Sequence, residues 1–287
     1  MPSSIIQWFP GHMAKTRRLI TENLKNVDAV IELLDARIPY SSRNPEIARL
    51  CAGKPTIVLL NKSSLADPTL TKKWAERISN ENTVCIETDC VSGKGLSQIA
   101  PAIRKLCSEK VERYDQKGMS GRAIKAMVVG IPNVGKSSLI NKLCGNKKAK
   151  VENRPGVTLD KQWVTTNIGV LLLDMPGVLW PKFDDPKVGE NLAITGAIKD
   201  DILDIETIAT VLCGRLRASY PSLLCERYKL NELPSPDEMD DYDLLTLIGR
   251  KRGFLVSGGE VNTERTANML IDEFRAAKIG SISLDII

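Results

Sequence analysis

Residues 124–137 constrain this chain more than any other stretch. The run Ile124-Lys125-Ala126-Met127-Val128-Val129 reads as a buried strand and leads directly into Gly130-Ile131-Pro132-Asn133-Val134-Gly135-Lys136-Ser137. That octapeptide fits G-x-x-x-x-G-K-[ST] at every fixed position, and a helical pattern follows from Lys136. Its glycines let backbone N–H groups converge on phosphate oxygens, with Gly130, Asn133, Val134, Gly135 and Ser138 as the lining. The helix N-terminus adds its positive dipole end. Lys136 is placed to reach the β- and γ-phosphates, and the Ser137 hydroxyl to hold Mg²⁺.

The rest of the chain supplies the sheet such a loop needs. Apolar runs at Ala29–Leu34, Thr56–Leu60, Thr83–Ile86 and Gly169–Leu173 read as further strands. Helical patterns lie at Met13–Lys25, Pro68–Ile78 and Leu96–Lys110. Strands alternating with helices imply right-handed crossovers and a mainly parallel α/β sheet. Val111 to Arg122 is polar and carries Gly118 and Gly121, either a connector between two halves of one domain or a domain boundary. Beyond Pro186 the strand signal fades; helical patterns at Ile205–Leu216, Asp240–Lys251 and Thr263–Ala277 are broken by Pro221, Pro234 and Pro236. The expected organisation is an α/β domain over 1–185 and a smaller all-helical domain over 186–287.

Three further motifs surround the phosphate loop. Asp174-Met175-Pro176-Gly177 follows a strand and fits DxxG, in which a strand-end carboxylate approaches Mg²⁺ and the Gly177 N–H faces the γ-phosphate. Arg154-Pro155-Gly156-Val157-Thr158 offers either an ordinary turn or a threonine, Thr158, whose hydroxyl closes over Mg²⁺. Upstream of the phosphate loop, Asn61-Lys62-Ser63-Ser64 ends a strand in the manner of the guanine-reading NKxD motif. Thr88-Asp89-Cys90, with Ser92-Gly93-Lys94-Gly95 after it, resembles the SAK-type loop whose backbone touches guanine O6. Base motifs therefore precede phosphate motifs. The same sheet forms in that order if old termini are joined and new ones opened elsewhere. Ser64 stands where NKxD has its aspartate, which accepts from guanine N1 and N2; a hydroxyl accepts more weakly than a carboxylate. Asp67 falls three residues too late to replace it without a loop shift.

Composition narrows the partners. No run of about 18 apolar residues exists, so no helix is expected to span a membrane. The segment before His12 lacks the features of a secretory signal, so a cytoplasmic location is expected. Seven scattered cysteines with no CxxC pair argue against a disulfide framework and a zinc site. The net charge of +5 is uneven: residues 1–189 carry 29 Lys+Arg against 18 Asp+Glu, and residues 190–287 carry 11 against 17. A polyanion is attracted to the first two thirds. Lys15, Arg17, Arg18, Lys147, Lys148, Lys150, Arg250, Lys251 and Arg252 are candidate nucleic-acid phosphate contacts.

With the rotated motif order, the stretches Trp8-Phe9-Pro10-Gly11-His12-Met13, Asp35-Ala36-Arg37-Ile38-Pro39, Gly130 to Ser137 and Val256-Ser257-Gly258-Gly259-Glu260 make the chain resemble the bacterial ribosome biogenesis GTPase A family. The resemblance covers almost the whole chain, and Ser64 is where it departs from the family pattern. It implies a circularly permuted GTPase that takes GTP and Mg²⁺, binds the large ribosomal subunit precursor and supports its late assembly. It also implies a helical C-terminal domain in contact with ribosomal RNA; no DNA is expected as a partner.

Hydrolysis then needs a group to orient water, because the position after DxxG, a Gln in Ras-like enzymes, is Val178. The lone histidine, His12, lies in a segment that the resemblance marks as functional. It is either a water-orienting base or an RNA or tethering contact. Asn133 either caps its loop or coordinates K⁺ beside the phosphates, supplying the charge an arginine finger provides elsewhere. Val178-Leu179-Trp180-Pro181 leads straight to the C-terminal segment, so GTP-state binding of a partner and GDP-state release are expected. The alternatives are a nucleotide-dependent RNA-binding scaffold with little hydrolysis, a metabolic P-loop kinase, which would phosphorylate an acceptor, and a GTPase acting in tRNA modification.

Overall fold

The computed structural model describes residues 11–119, 121–145 and 162–287. They form two compact units, one built from residues up to 184 together with 285–287, the other from 185–284.

The first unit begins with helix α1 (Gly11–Leu24), strand β1 (Ala29–Asp35), α2 (Pro45–Leu50), β2 (Thr56–Asn61), α3 (Pro68–Ile78) and β3 (Thr83–Glu87). It continues through α4 (Ile99–Leu106), α5 (Ser108–Gln116), β4 (Ile124–Gly130), α6 (Lys136–Cys144), β5 (Gln162–Thr165) and β6 (Val170–Asp174). The six strands lie in the order β3-β2-β1-β4-β6-β5, parallel except for β5, which runs antiparallel to β6. Every residue of β1 and β2 is buried, as a parallel sheet covered on both faces requires. One core cluster joins Met13 and Ile20 of α1 to Val30, Met127, Val129 and Leu173 on the strands, and extends to Met175 and Val178. Another packs Leu34, Val58 and Leu60 against Trp74 of α3. Each fully buried Leu or Ile contributes on the order of 2 kcal/mol of apolar transfer free energy, so the central strands carry the stability of this unit.

Local signals place the helices. Asp67 caps α3, its Oδ1 accepting from Thr69 N at 2.8 Å and Leu70 N at 3.1 Å, with Pro68 pre-set in the first turn. The single helix expected over 96–110 divides into a 3₁₀ turn at Leu96–Gln98, α4 and α5, with Cys107 at the junction. Part of the expected connector, up to Gln116, is helix α5, which buries no side chain. It presents Glu109 to Arg113 one turn apart, at 3.2 Å. Polarity there marks a solvated helix rather than a loop.

The second unit holds α7 (Pro186–Ile194), α8 (Ile205–Ser219), α9 (Pro221–Tyr228), α10 (Asp241–Lys251) and α11 (Thr263–Arg275). Pro221, expected to break a helix, instead occupies the first turn of α9, where a missing N–H costs nothing. Helix α8 buries Ile208, Leu212 and Leu216 at intervals of four. Its neighbours bury Leu244, Leu245 and Ile248 on α10, and Leu270, Ile271 and Phe274 on α11. Glu273 ties the unit together, accepting from Arg227 Nε at 2.9 Å, Tyr228 OH at 2.9 Å and Arg252 Nη2 at 2.9 Å. Arg252 also lies over the Tyr228 ring at 5.1 Å. It is half-buried and engaged with Glu273, whereas Arg250 and Lys251 are exposed. One isolated bridge, Leu255 with Val261, brackets the exposed 256–260 turn and is the one β-type pairing among the described residues of this unit.

Candidate nucleotide-binding site

Strand β4 runs in the middle of the sheet, between β1 and β6, and its C-terminal end opens into the Gly130–Ser137 loop. Ligands of open parallel sheets bind outside the carboxyl ends of the strands. The loop demands special backbone: Asn133 has φ 57° and Gly135 φ 106°, both left-handed. A Cβ on Gly135 would strike the Asn61 amide, so that position is closed to any side chain. Helix α6 starts at Lys136, leaving Asn133, Ser137 and Ser138 exposed at its mouth.

Lys136 Nζ donates to the Gly130 carbonyl at 3.0 Å and the Ile131 carbonyl at 2.8 Å. Burial pushes its ammonium down to about 8, against the pull of Asp174. Gly177 closes the same space, because a Cβ there would meet Lys136 Nζ and stand 3.1 Å from the Ile131 carbonyl oxygen. The DxxG segment and the phosphate loop are thus neighbours. Asp174 ends β6 opposite Val128 of β4, and its Oδ1 is buried without a hydrogen-bond partner. Burial raises its carboxyl above the ordinary value, partly offset by Lys136. An orphaned carboxylate oxygen beside a desolvated ammonium and an exposed Ser137 hydroxyl fits a Mg²⁺–phosphate ligand.

Asn61 joins the two halves of the site. Its Nδ2 donates to the Val134 carbonyl at 2.8 Å, and its Oδ1 accepts from Cys90 N at 3.0 Å. Ser63 N donates to the Thr88 carbonyl at 3.1 Å, so the loops after β2 and β3 are also joined through main chain. Asn61, Thr88, Asp89 and Cys90 are all buried. Lys62, at φ 61°, donates to Asp35 Oδ2 at 2.9 Å. Ser64 Oγ donates to Asp89 Oδ2.

Asp35 was not among the expected site residues. It ends β1, pairs with Arg37 through Nε at 2.9 Å and Nη2 at 2.7 Å, and holds Lys62 in place. Burial would raise its carboxyl, but Arg37 and Lys62 hold it well below the usual carboxylate range. A sequence signal existed: an aspartate closing an otherwise apolar strand, with arginine two residues on.

Thr158 lies outside the described residues, as do Lys147, Lys148 and Lys150 and the side chain of His12. Val178 is buried in the cluster that holds Met13, so it faces the core and not a phosphate. A separate cleft lined by Val30, Glu32, Arg43, Lys54 and Asn82 adjoins the opening residues Thr56 and Thr83 of β2 and β3, the end of the sheet opposite the phosphate loop.

A family model described as "50S ribosome-binding GTPase" matches residues 125–213. The chain is 48% identical over 281 residues to a ribosome biogenesis GTPase A from Priestia megaterium (strain DSM 319 / IMG 1521), spanning 98% of this chain and 96% of that protein. It is similar to the GDP-bound structure of TM YlqF, with a TM-score of 0.63, 26% identity and coverage of 93% of this chain and 98% of that one. The GNP-bound structure of YlqF from T. maritima aligns with a TM-score of 0.61 at 26% identity, over 94% of this chain and 97% of that chain.

Proposed function

From the premise that this chain belongs to the ribosome biogenesis GTPase A family and is a GTPase of ribosome assembly, we propose that it acts in the cytoplasm on the large ribosomal subunit precursor. The GTP form binds the particle, hydrolysis follows on it, and the GDP form leaves. The observation that supports the nucleotide-dependent part of this reading is the Asn61 bridge, which ties the loop after β3 to the phosphate loop that follows it in the chain.

Each residue has a part. Main-chain N–H groups of the 130–138 loop hold the β- and γ-phosphates. Lys136 trades two carbonyl bonds for phosphate oxygens, and its charge offsets theirs as the leaving oxygen develops. Ser137, Asp174 and Thr158 are the groups to hold Mg²⁺, which when bound neutralises charge on the phosphates. The Gly177 N–H senses the γ-phosphate. Since Val178 is committed to the core, water must be oriented from elsewhere. His12 adjoins Met13, a member of the same cluster, and takes that role. In this reading Asn133 coordinates K⁺ as a second positive charge; equal turnover in K⁺ and Na⁺ would retire it. Lys15, Arg17 and Arg18 on α1, with Arg250 and Lys251 on α10, are exposed and suited to ribosomal RNA phosphates.

The test is phosphate release from GTP and from ATP, each with and without large-subunit precursor particles. GTP-selective turnover that rises with particles supports the proposal. Equal use of ATP would remove the base-reading half, and phosphate delivered to an acceptor would make the protein a kinase. Buried Val178 favours a second reading, a nucleotide-dependent RNA-binding scaffold, which predicts tight GTP binding without particle-stimulated release.

A further inference from the structure

The guanine-reading motif lacks its carboxylate at Ser64, yet a carboxylate is bonded to that serine. We infer that Asp89, on the loop after β3, accepts from the guanine N1 and N2 edge in place of the missing aspartate, and that Ser64 serves to hold it. The inference rests on the reading that the site takes a guanine nucleotide, and it names the residue that makes the selection.

Three observations carry it. Asp89 shares its loop with Cys90, whose N–H is bonded to Asn61, so its main chain is fixed at the base end of the site. Its carboxylate is held in a defined plane: Oδ1 accepts from Val91 N at 2.8 Å and Ser92 N at 3.0 Å, while Oδ2 meets a serine hydroxyl. Main-chain donors are fixed, but a hydroxyl rotates, so Oδ2 is the oxygen that can share or exchange its partner with an incoming N–H. Despite burial, the bonds from Ser64, Ser92 and Val91 keep this carboxyl below its ordinary value, hence ionised at neutral pH.

Neighbouring carboxylates are committed elsewhere. Asp67 caps α3 through two N–H bonds, and Asp35 is locked between Arg37 and Lys62. The chemistry favours Asp89 over Ser64 itself. Guanine offers donors at N1 and N2, a carboxylate carries about four acceptor sites and full charge, and charge-assisted bonds are roughly twice as strong as neutral ones.

Titration calorimetry of GDP, IDP, XDP and ADP against the parent, Asp89→Asn and Ser64→Ala tests this. Xanthine replaces the N2 amine by a carbonyl, which an asparagine amide can meet with its own N–H. Asp89→Asn should lose GDP affinity by about 10- to 100-fold, the worth of one or two charge-assisted bonds, and should bind XDP more tightly than GDP. Asparagine can still bond the turn amides as aspartate does. Ser64→Ala should weaken GDP only a few-fold and keep GDP above IDP, which lacks the N2 amine, by about tenfold.

If Asp89→Asn keeps the parental GDP-over-XDP ratio, Asp89 is not the reader. Should that variant fail to fold, Ser64→Ala decides alone: a GDP-to-IDP ratio collapsing to one makes Ser64 the reader. A parent protein that prefers ADP to GDP, or binds neither, overturns the guanine reading itself, an outcome distinct from either of these.

Discussion

Replacing Asn61 by alanine isolates the contact on which the two-part site depends. The side chain is buried and makes two bonds, Nδ2 to the Val134 carbonyl at 2.8 Å and Oδ1 from Cys90 N at 3.0 Å. Alanine makes neither, so two buried main-chain groups are left unpaired at about 1–3 kcal/mol each. The sum is about 2–6 kcal/mol, and a domain of this size shifts by about 2–4 °C per kcal/mol. Thermal unfolding without nucleotide should therefore fall by about 5–20 °C. GDP affinity should fall at least tenfold, since the ligand must then order two loops that the parent holds ready. Asn61→Asp sharpens the test. It keeps the acceptor for Cys90 N but turns a carboxylate toward the Val134 carbonyl, so it should be no better than alanine. Unfolding by circular dichroism and GDP titration give both readouts. An alanine variant that melts with the parent and binds GDP equally would show that the loops are positioned independently, and the bridge argument would fail.

Lys136→Met should abolish most GTP binding, and it should flatten a pH dependence. Phosphates raise the ammonium from about 8, so binding takes up a proton and parental GDP affinity should fall as pH rises above about 8. Asp174→Asn should lose the Mg²⁺-dependent part of GTP affinity while GDP binding without metal changes little, measured by titration with Mg²⁺ and with chelator. Glu273→Ala strands Arg227 and Arg252 and should destabilise the helical unit by about 3 kcal/mol in urea at neutral pH. The Glu273 carboxyl is lowered, although burial alone would raise it, by bonds from Arg227 and Tyr228. Its contribution is thus present above the ordinary carboxylate range and lost as pH falls through the lowered value, and the gap to the variant should close on acidification.

The buried strands and the phosphate loop were legible because each depends on local pattern: continuous apolar runs, and glycines where the backbone must turn left-handed. The permuted order was legible too, since motif spacing survives the joining of old termini. Strand β5 was not. Gln-Trp-Val-Thr is four residues long, and its place is set by antiparallel pairing with β6, a tertiary contact. The partners of Arg252 were not legible for a similar reason: Arg250-Lys251-Arg252 looks uniform in sequence, but helix α10 ends at Lys251, and the next residue turns back onto Glu273 and Tyr228. Asp35 was quoted only as part of a family-like stretch, because its pairing with Lys62, 27 residues on, is a tertiary contact that local pattern does not show. The Ser64–Asp89 pairing joins positions 25 residues apart, and only the packing of β2 against β3 brings them together.

Val178 links the phosphate site to helix α1. In a Ras-like arrangement the residue after DxxG points at water; here it packs with Met175 and with Met13 of α1. A buried methionine at position 13 holds the opening turn of α1 beside the strand that carries Asp174. Residue 12 thus adjoins a side chain buried in the same cluster as Met175 and Val178, the residues that flank Pro176-Gly177. Truncating Met13 to alanine would remove that anchor without touching a phosphate-binding atom. If the water-orienting group comes from this turn, GTP turnover should fall several-fold while GDP affinity holds; a loss of GDP affinity instead would mean that α1 supports the binding loop itself.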